Sequence, residues 1–226
     1  MKYEHIESGI FLARPNRFIA HVRMGDQVEI CHVKNTGRCR ELLKEGCTVY
    51  LERSGNPKRK TRYDLVSVES GGQIINMDSQ APNSLAEEWV LESGRFQDLR
   101  KVKREQKYGD SRFDLYVEAG ERRILMEVKG VTLKEGDTAY FPDAPTLRGV
   151  KHIRELIRCQ ENGFEPWLFF VIQMKGIKAL RPNDRTQAEF GEALREAKNA
   201  GVRLLASDCL VEKDSIRIDQ EIPILL

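Results

Sequence analysis

The stretch RFDLYVEAGERRILMEVKGVT, residues 112–132, limits the fold of this chain more than any other. Phe113, Leu115 and Val117 alternate with Asp114 and Tyr116. Beyond Ala119-Gly120, Ile124, Met126 and Val128 alternate with Leu125, Glu127 and Lys129. Period-two alternation marks a β-strand, and a glycine between two such runs marks a tight turn. Successive strand side chains point to opposite faces, so Glu127 and Lys129 share one face. Pairing of the two strands brings Asp114 toward the same polar face. Two carboxylates and an ammonium then occupy one patch of sheet. Glu-Val-Lys on a strand is common in solvated hairpins, so the pattern reads either as a charged surface or as a site that holds a cation.

The chain has 226 residues, room for one large domain or two small ones. A formal net charge of +2 gives little global attraction for a polyanion, so any nucleic-acid affinity must come from local clustering. No apolar run approaches the roughly 18 residues of a membrane span, and the opening MKYEHIESGIF lacks an apolar signal region. The expected address is the cytoplasm, without membrane association. Cys31, Cys39, Cys47, Cys159 and Cys209 form an odd, dispersed set, which fits a reducing compartment. The first three recur every eight residues beside His32, but zinc sites usually bring ligands in close pairs, and none exists here. Neither a Walker loop nor a Gly-x-Gly-x-x-Gly segment is present, which leaves nucleotide-enzyme readings without support.

Residues 1–80 read as short strands (9–13, 18–24, 27–32, 48–52, 64–69 and 74–77) separated by turn residues such as Gly25-Asp26 and Gly71-Gly72. Strands this short and frequent suit an OB-like β-barrel, with one helical turn at 40–44. The chain changes texture at Pro82-Asn83, where Asn83 is read as the N-cap of a short helix carrying Leu85 and Trp89. A charged segment, 99–107, precedes the hairpin. After the hairpin, residues 133–145 read as irregular, and Thr146 as the cap of a helix with Val150, Ile153, Leu156 and Ile157 on its apolar face. Residues 167–172 form the apolar run of a strand buried on both faces. Phe190, Leu194 and Ala197 mark a further helix, followed by strands at 202–206 and 215–218. The expectation is an α+β chain in two parts, the barrel over 1–80 and an α/β domain over 81–226.

An Asp followed by Glu-x-Lys on the next strand resembles the PD-(D/E)xK nuclease core. VKNTGRCREL (33–42), RKTRYDL (59–65), APN (81–83), YGDSRFD (108–114), FPDAPTLRG (141–149) and KHIREL (151–156) accompany it in order. Together they resemble the sugar fermentation stimulation protein (SfsA) family over nearly the whole chain. The resemblance implies an OB-like N-terminal domain, a nuclease-like C-terminal domain and DNA binding largely without sequence specificity. It further implies that Asp114 and Glu127 hold Mg²⁺ or Mn²⁺, with Lys129 beside the attacking water. Such a metal neutralises and polarises a phosphate and lowers the pKa of bound water. A nearby lysine orients that water or stabilises developing charge.

Glu105 joins the candidate catalytic set, since related cores carry a carboxylate on the preceding element; the competing reading is an ion pair with a basic neighbour. Pro142-Asp143 follows Glu127 instead of preceding it and so is not the motif's Pro-Asp. Arg148, at the helix start after Thr146, is a candidate phosphate ligand. His152 and Glu155 share a helix face, either supporting the metal or bonding at the surface. Lys58, Arg59, Lys60 and Arg62 form one basic cluster beside Tyr63. Lys101, Lys103 and Arg104 belong to a second with Arg100 and Lys107. Both suit a phosphate backbone, and Arg38 and Arg40, after Thr36-Gly37, add to them. With about four to eight phosphate contacts, binding should weaken steeply with salt.

Two functional readings follow. One is a DNA-binding, Mg-dependent nuclease, with RNA as a possible substrate in place of DNA. The other is a non-catalytic DNA-binding regulator of sugar (maltose) metabolism on a nuclease scaffold. Oligomeric state is left open.

Overall fold

The computed structural model describes residues 1–35 and 37–226; Thr36 lies outside the described residues. Six strands begin the chain: β1 (Ile6–Asn16), β2 (Ile19–Met24), β3 (Gln27–Val33), β4 (Thr48–Arg53), β5 (Tyr63–Ser70) and β6 (Gln73–Asn76). Their order is β3-β2-β1-β4-β5-β6, and parallel pairing of His32 with Asp64 and Val33 with Leu65 joins β3 to β5. That contact closes five strands into the expected OB barrel. Ala20, Val22, Val49, Leu51 and Leu65 fill it from inward positions and are fully buried. Register shifts after Phe11 and Ala13 let β1 bend between its two neighbours. Residues 40–44 close one turn, through the Leu43 N–H to the Cys39 carbonyl at 3.0 Å.

The second part opens with α1 (Ala81–Glu92), β7 (Leu99–Tyr108), β8 (Ser111–Ala119) and β9 (Arg122–Val131). Next come β10 (Lys134–Glu135), β11 (Thr138–Phe141), α2 (Leu147–Cys159), β12 (Glu165–Ile172) and β13 (Ala179–Pro182). The chain closes with α3 (Asp184–Asn199), β14 (Arg203–Val211) and β15 (Ile216–Glu221). The main sheet runs β15-β14-β12-β9-β8-β7, parallel across β9, β12 and β14 and antiparallel at both flanks.

Both faces of this sheet are covered, so the α/β expectation holds. Ala81, Leu85 and Val90 of α1 pack with Met126, Val128, Phe169 and Val171 on one side. Val150, Ile153 and Leu156 of α2 and Phe190 and Leu194 of α3 pack with Leu125, Leu168 and Phe170 on the other. Phe169 and Phe170 thus serve opposite cores, which is why 167–172 is apolar without alternation. Burying each ring is worth about 2–3 kcal/mol.

Three local readings are corrected. The charged segment 99–107 is the edge strand β7, whose exposed face and edge hide its alternation behind charge. Residues 133–145 are not wholly irregular: β10 and β11 pair there, and β11 joins β13 in a small three-stranded sheet. Asn83 is not an N-cap. Gln80 holds that place without a side-chain bond, and Pro82 occupies the first turn, where its missing N–H costs nothing. Thr146 does cap α2, its hydroxyl accepting from the Gly149 N–H at 3.0 Å.

Barrel and α/β layers meet through a buried polar network. Gln173 Nε2 donates to Asn76 Oδ1 at 2.7 Å and to the Asp78 carbonyl at 3.0 Å, and the Asn76 N–H returns a bond to the Gln173 carbonyl at 3.0 Å. Among the described residues, no helix is long and apolar enough to cross a membrane.

Candidate metal centre

Strands β8 and β9 meet in a two-residue loop, Ala119 paired with Arg122. Gly120 takes the first central position with φ 60°, a left-handed backbone that favours glycine. The ladder runs back only to Leu115 opposite Met126, whereas β8 stays paired with β7 as far as Ser111. The two strands of the hairpin therefore part at Asp114 and Glu127. Asp114 fills the gap with its side chain: Oδ2 accepts the Val128 N–H at 2.8 Å, replacing a backbone acceptor. Its Oδ1 accepts from Asn83 Nδ2 at 3.0 Å.

Glu127 is 2% exposed. Its Oε1 takes two bonds, from Lys129 Nζ at 2.6 Å and from His152 Nδ1 at 2.6 Å. Its Oε2 is buried without any partner among the described residues. On the far side of the imidazole, Arg148 Nε donates to His152 Nε2 at 3.3 Å. That bond requires a lone pair on Nε2, so the proton sits on Nδ1 and is donated to Glu127.

The two carboxylates titrate in opposite directions. Burial and the Glu127 charge push the Asp114 carboxyl up to about 6, against the lowering effect of the Val128 and Asn83 bonds and of Lys129. Burial also opposes ionisation of Glu127, but the His152 bond and the Lys129 charge outweigh it and hold its pKa below the ordinary value. A buried like-charge pair with one bare oxygen is a site that a hard cation would relieve. The donor set fits Mg²⁺, Mn²⁺ or Ca²⁺, which take carboxylate, carbonyl and water oxygens. Among the described residues no group of three or more His, Cys, Asp and Glu side chains gathers around one point, so an ion at this pair would have two carboxylates from the protein and would draw its remaining oxygens from backbone or water.

Beside the pair, Gly130 lets the backbone pass closely. A β-carbon there would come within 2.6 Å of both Gln173 Oε1 and Pro82 Cγ. Gly130, Val131 and Thr132 form one wall of a cleft of about 340 Å³, with Asn35 and Gly37 of the barrel and the 140–146 loop around it. A larger hollow of about 820 Å³ near Tyr3 and Lys213 gathers none of the residues singled out from the sequence.

The other sequence candidates divide. Arg148 reaches the centre through His152. Glu105 stands across from Asp114 in the β7–β8 register but is exposed, has a left-handed φ of 56° and binds Arg112 at 3.2 Å. Arg59 grips Asp64 through both nitrogens at 2.7 Å, and Arg62 pairs with Glu29. Arg104 bonds Glu87 at 2.7 Å, Lys101 lies 3.8 Å from Glu118 and Lys103 donates to Gln106 at 3.2 Å. Lys58 and Lys60 are exposed.

Sequence reasoning gave Asn83 no place in the site, and it weighed His152 as a support for the metal but with the wrong partner. Asn83 sits one residue past Pro82, too deep in the helix for a cap, and that spacing was the available signal. His152 was paired with Glu155 on a shared helix face, but its partner lies 25 residues away on β9.

The family model described as "Sugar fermentation stimulation protein RE domain" matches residues 80–215, and "SfsA N-terminal OB domain" matches residues 12–77. A sugar fermentation stimulation protein homolog of Ruminiclostridium cellulolyticum is 53% identical over 226 residues, covering all of both chains. A homolog from Desulfitobacterium hafniense is 55% identical over 216 residues, covering 96% of this chain and 94% of its own. Among solved structures, Pyrococcus furiosus SfsA in complex with Ca²⁺ superposes with a TM-score of 0.89 at 30% identity, covering 100% of this chain and 98% of that one.

Proposed function

The chain belongs to the sugar fermentation stimulation protein family, and from that premise and the geometry of Asp114 and Glu127 we propose that it binds nucleic acid and hydrolyses phosphodiester bonds with a divalent cation. The observation that carries this reading is the bare, buried Oε2 of Glu127 beside a second carboxylate whose pKa is raised. A buried acceptor without a partner is costly in a structure that otherwise satisfies its polar groups. The Ca²⁺ in the Pyrococcus furiosus relative supports a hard-cation site in the same fold.

Asp114 and Glu127 would hold the ion, Mg²⁺ or Mn²⁺ in the working protein, and the bound metal supplies charge neutralisation at the phosphate and a more acidic water. Val128 fixes Asp114 through its N–H and Asn83 fixes it through its side chain. His152 holds Glu127 and is itself held by Arg148. Lys129, half-buried and bonded to Glu127, would hold a water or an anionic oxygen at the site. DNA is the substrate proposed first and RNA second.

A second reading, a non-catalytic DNA-binding regulator, has one observation in its favour. Lys129 and His152 already bond Glu127 Oε1, as they would in a site where an ammonium replaces the metal. Incubating wild type and E127A with labelled single- and double-stranded DNA and RNA, in Mg²⁺, Mn²⁺ or EDTA, separates the two. Metal-dependent cleavage lost in E127A supports the nuclease. Binding without cleavage by either protein supports the regulator.

A further inference from the structure

The turn between β1 and β2 and the segment after β3 enclose a hollow of about 500 Å³ lined by Arg14, Arg17, Arg38, Arg40, Gly37 and Ala144. Arg14 builds it. Its guanidinium donates to the carbonyls of Arg17 at 2.8 Å, Arg38 at 2.8 Å and Asn35 at 2.7 Å, tying the two segments together, and its buried Nε has no partner among the described residues. Arg17, Arg38 and Arg40 are exposed. Among the described residues none of the four arginines forms an ion pair, whereas Arg59, Arg62 and Arg104 all do. Arg17 also lies over the ring of Phe18 at 5.4 Å, and Phe18 is 49% exposed.

This hollow adjoins the cleft walled by Gly130, Val131 and Thr132, the residues that follow Lys129 in the chain. Gly37 and Ala144 line both. At the junction Asp143 Oδ2 stands against Gly37, so close that a β-carbon there would lie 2.9 Å away.

We propose that the arginine hollow, with Phe18 beside it, binds the phosphates of a single-stranded nucleic acid that runs on through the adjoining cleft to Asp114 and Glu127. Unpaired guanidinium groups supply the attraction and forked hydrogen bonds that phosphate requires. Phe18 supplies a stacking platform that an unpaired base can reach and a base inside a duplex cannot. The inference rests on the nucleic-acid reading above and deepens it by naming strand type and entry path.

Its test is a fluorescence-anisotropy titration in EDTA, where no cleavage intrudes, using a labelled single strand of about 12 nucleotides and the matching duplex at several salt concentrations. R38A/R40A should weaken single-strand binding by tenfold or more and flatten the log–log salt slope by about 1.4, at about 0.7 per lost phosphate contact. F18A should weaken it about fivefold while leaving that slope unchanged, because stacking releases no counterions. R38K/R40K, which keeps the charge, should keep the slope, and melting curves check that each variant folds. Unchanged affinity and slope in R38A/R40A would overturn the proposal, as would equal losses for strand and duplex. Loss of cleavage in E127A together with normal binding by R38A/R40A would leave the nuclease reading standing and remove only this surface. Absence of binding by the wild type to any nucleic acid would remove both.

Discussion

The barrel and the α/β domain each hold an acid, a histidine bonded through Nδ1 and a cation, and the two clusters end differently. In the barrel, Asp64 takes His32 Nδ1 at 2.8 Å and Arg59 Nη2 at 2.7 Å on Oδ1, and Arg59 Nη1 at 2.7 Å on Oδ2. Both oxygens are satisfied. In the α/β domain, His152 and Lys129 crowd onto Oε1 of Glu127 and leave Oε2 without a partner among the described residues, while burial and the Glu127 charge raise the pKa of Asp114. The same kinds of group thus form a finished strut in one place and leave a bare oxygen in the other. What distinguishes them is whether the partners share the two oxygens or compete for one.

The largest difference should come from removing each acid. E127A should abolish metal-dependent cleavage, by about a thousandfold or more. Ca²⁺ at about 100 times its Kd should stabilise wild type by about 2.7 kcal/mol and E127A not at all, as read by thermal melting. D64A should do the reverse, costing about 2 kcal/mol of stability while the Ca²⁺ response persists. An unchanged Ca²⁺ response in E127A would break the comparison.

Acidity provides the next test, since the two domains should respond with opposite sign. The Asp114 carboxyl is pushed up to about 6, so the folded state binds more protons than the unfolded one between about pH 4 and 6. Stability therefore falls as pH rises through that window, by about 3 kcal/mol at the full shift, and D114N should remove the slope. Asp64 is the opposite case. Burial works against its ionisation, but the Arg59 and His32 bonds outweigh it and lower its pKa. Its contribution is present above the unfolded carboxyl pKa of about 3.9 and is lost as pH falls through the lower folded value. Chemical denaturation across pH 3 to 8 separates the two.

Smaller effects are expected from the supports. H152A should weaken metal binding about 10- to 100-fold, because a group that orients a ligand carries much of its affinity. H32A should leave metal binding untouched. N83A, which removes one donor from Asp114, should raise the midpoint of the Asp114 titration by up to about one unit. A midpoint that stays fixed would mean that the Asn83 bond does not help hold that carboxylate ionised.

The alternation through 112–132 was enough to locate the hairpin and to put Asp114, Glu127 and Lys129 near one another, because strand geometry has only two faces. The short strands before residue 80 were legible in part for the same reason, since β1, β2 and β3 carry their buried residues at every second position. Strands β4 and β5 are buried over consecutive residues and were marked by their turn residues and β-branched runs instead. Strand β7 was not legible, since an exposed edge strand has no buried face to impose a pattern. The basic clusters were legible as charge, but composition does not tell a free guanidinium from one gripped by a carboxylate. Arg59 and Arg62 are gripped by carboxylates on the barrel surface, and among the described residues Arg38 and Arg40 form no ion pair.

The sequence by itself determined the two-part chain, the barrel strands and the spacing of the acids, all consequences of local periodicity and turn chemistry. Only the tertiary structure decided which partners those acids have. Asn83 reaches Asp114 across 31 positions, His152 reaches Glu127 across 25, and both Lys129 and His152 fall on the same oxygen. Such contacts are set by how helices pack on the two faces of a sheet, and a side chain's spacing along the chain carries no record of which oxygen it will find.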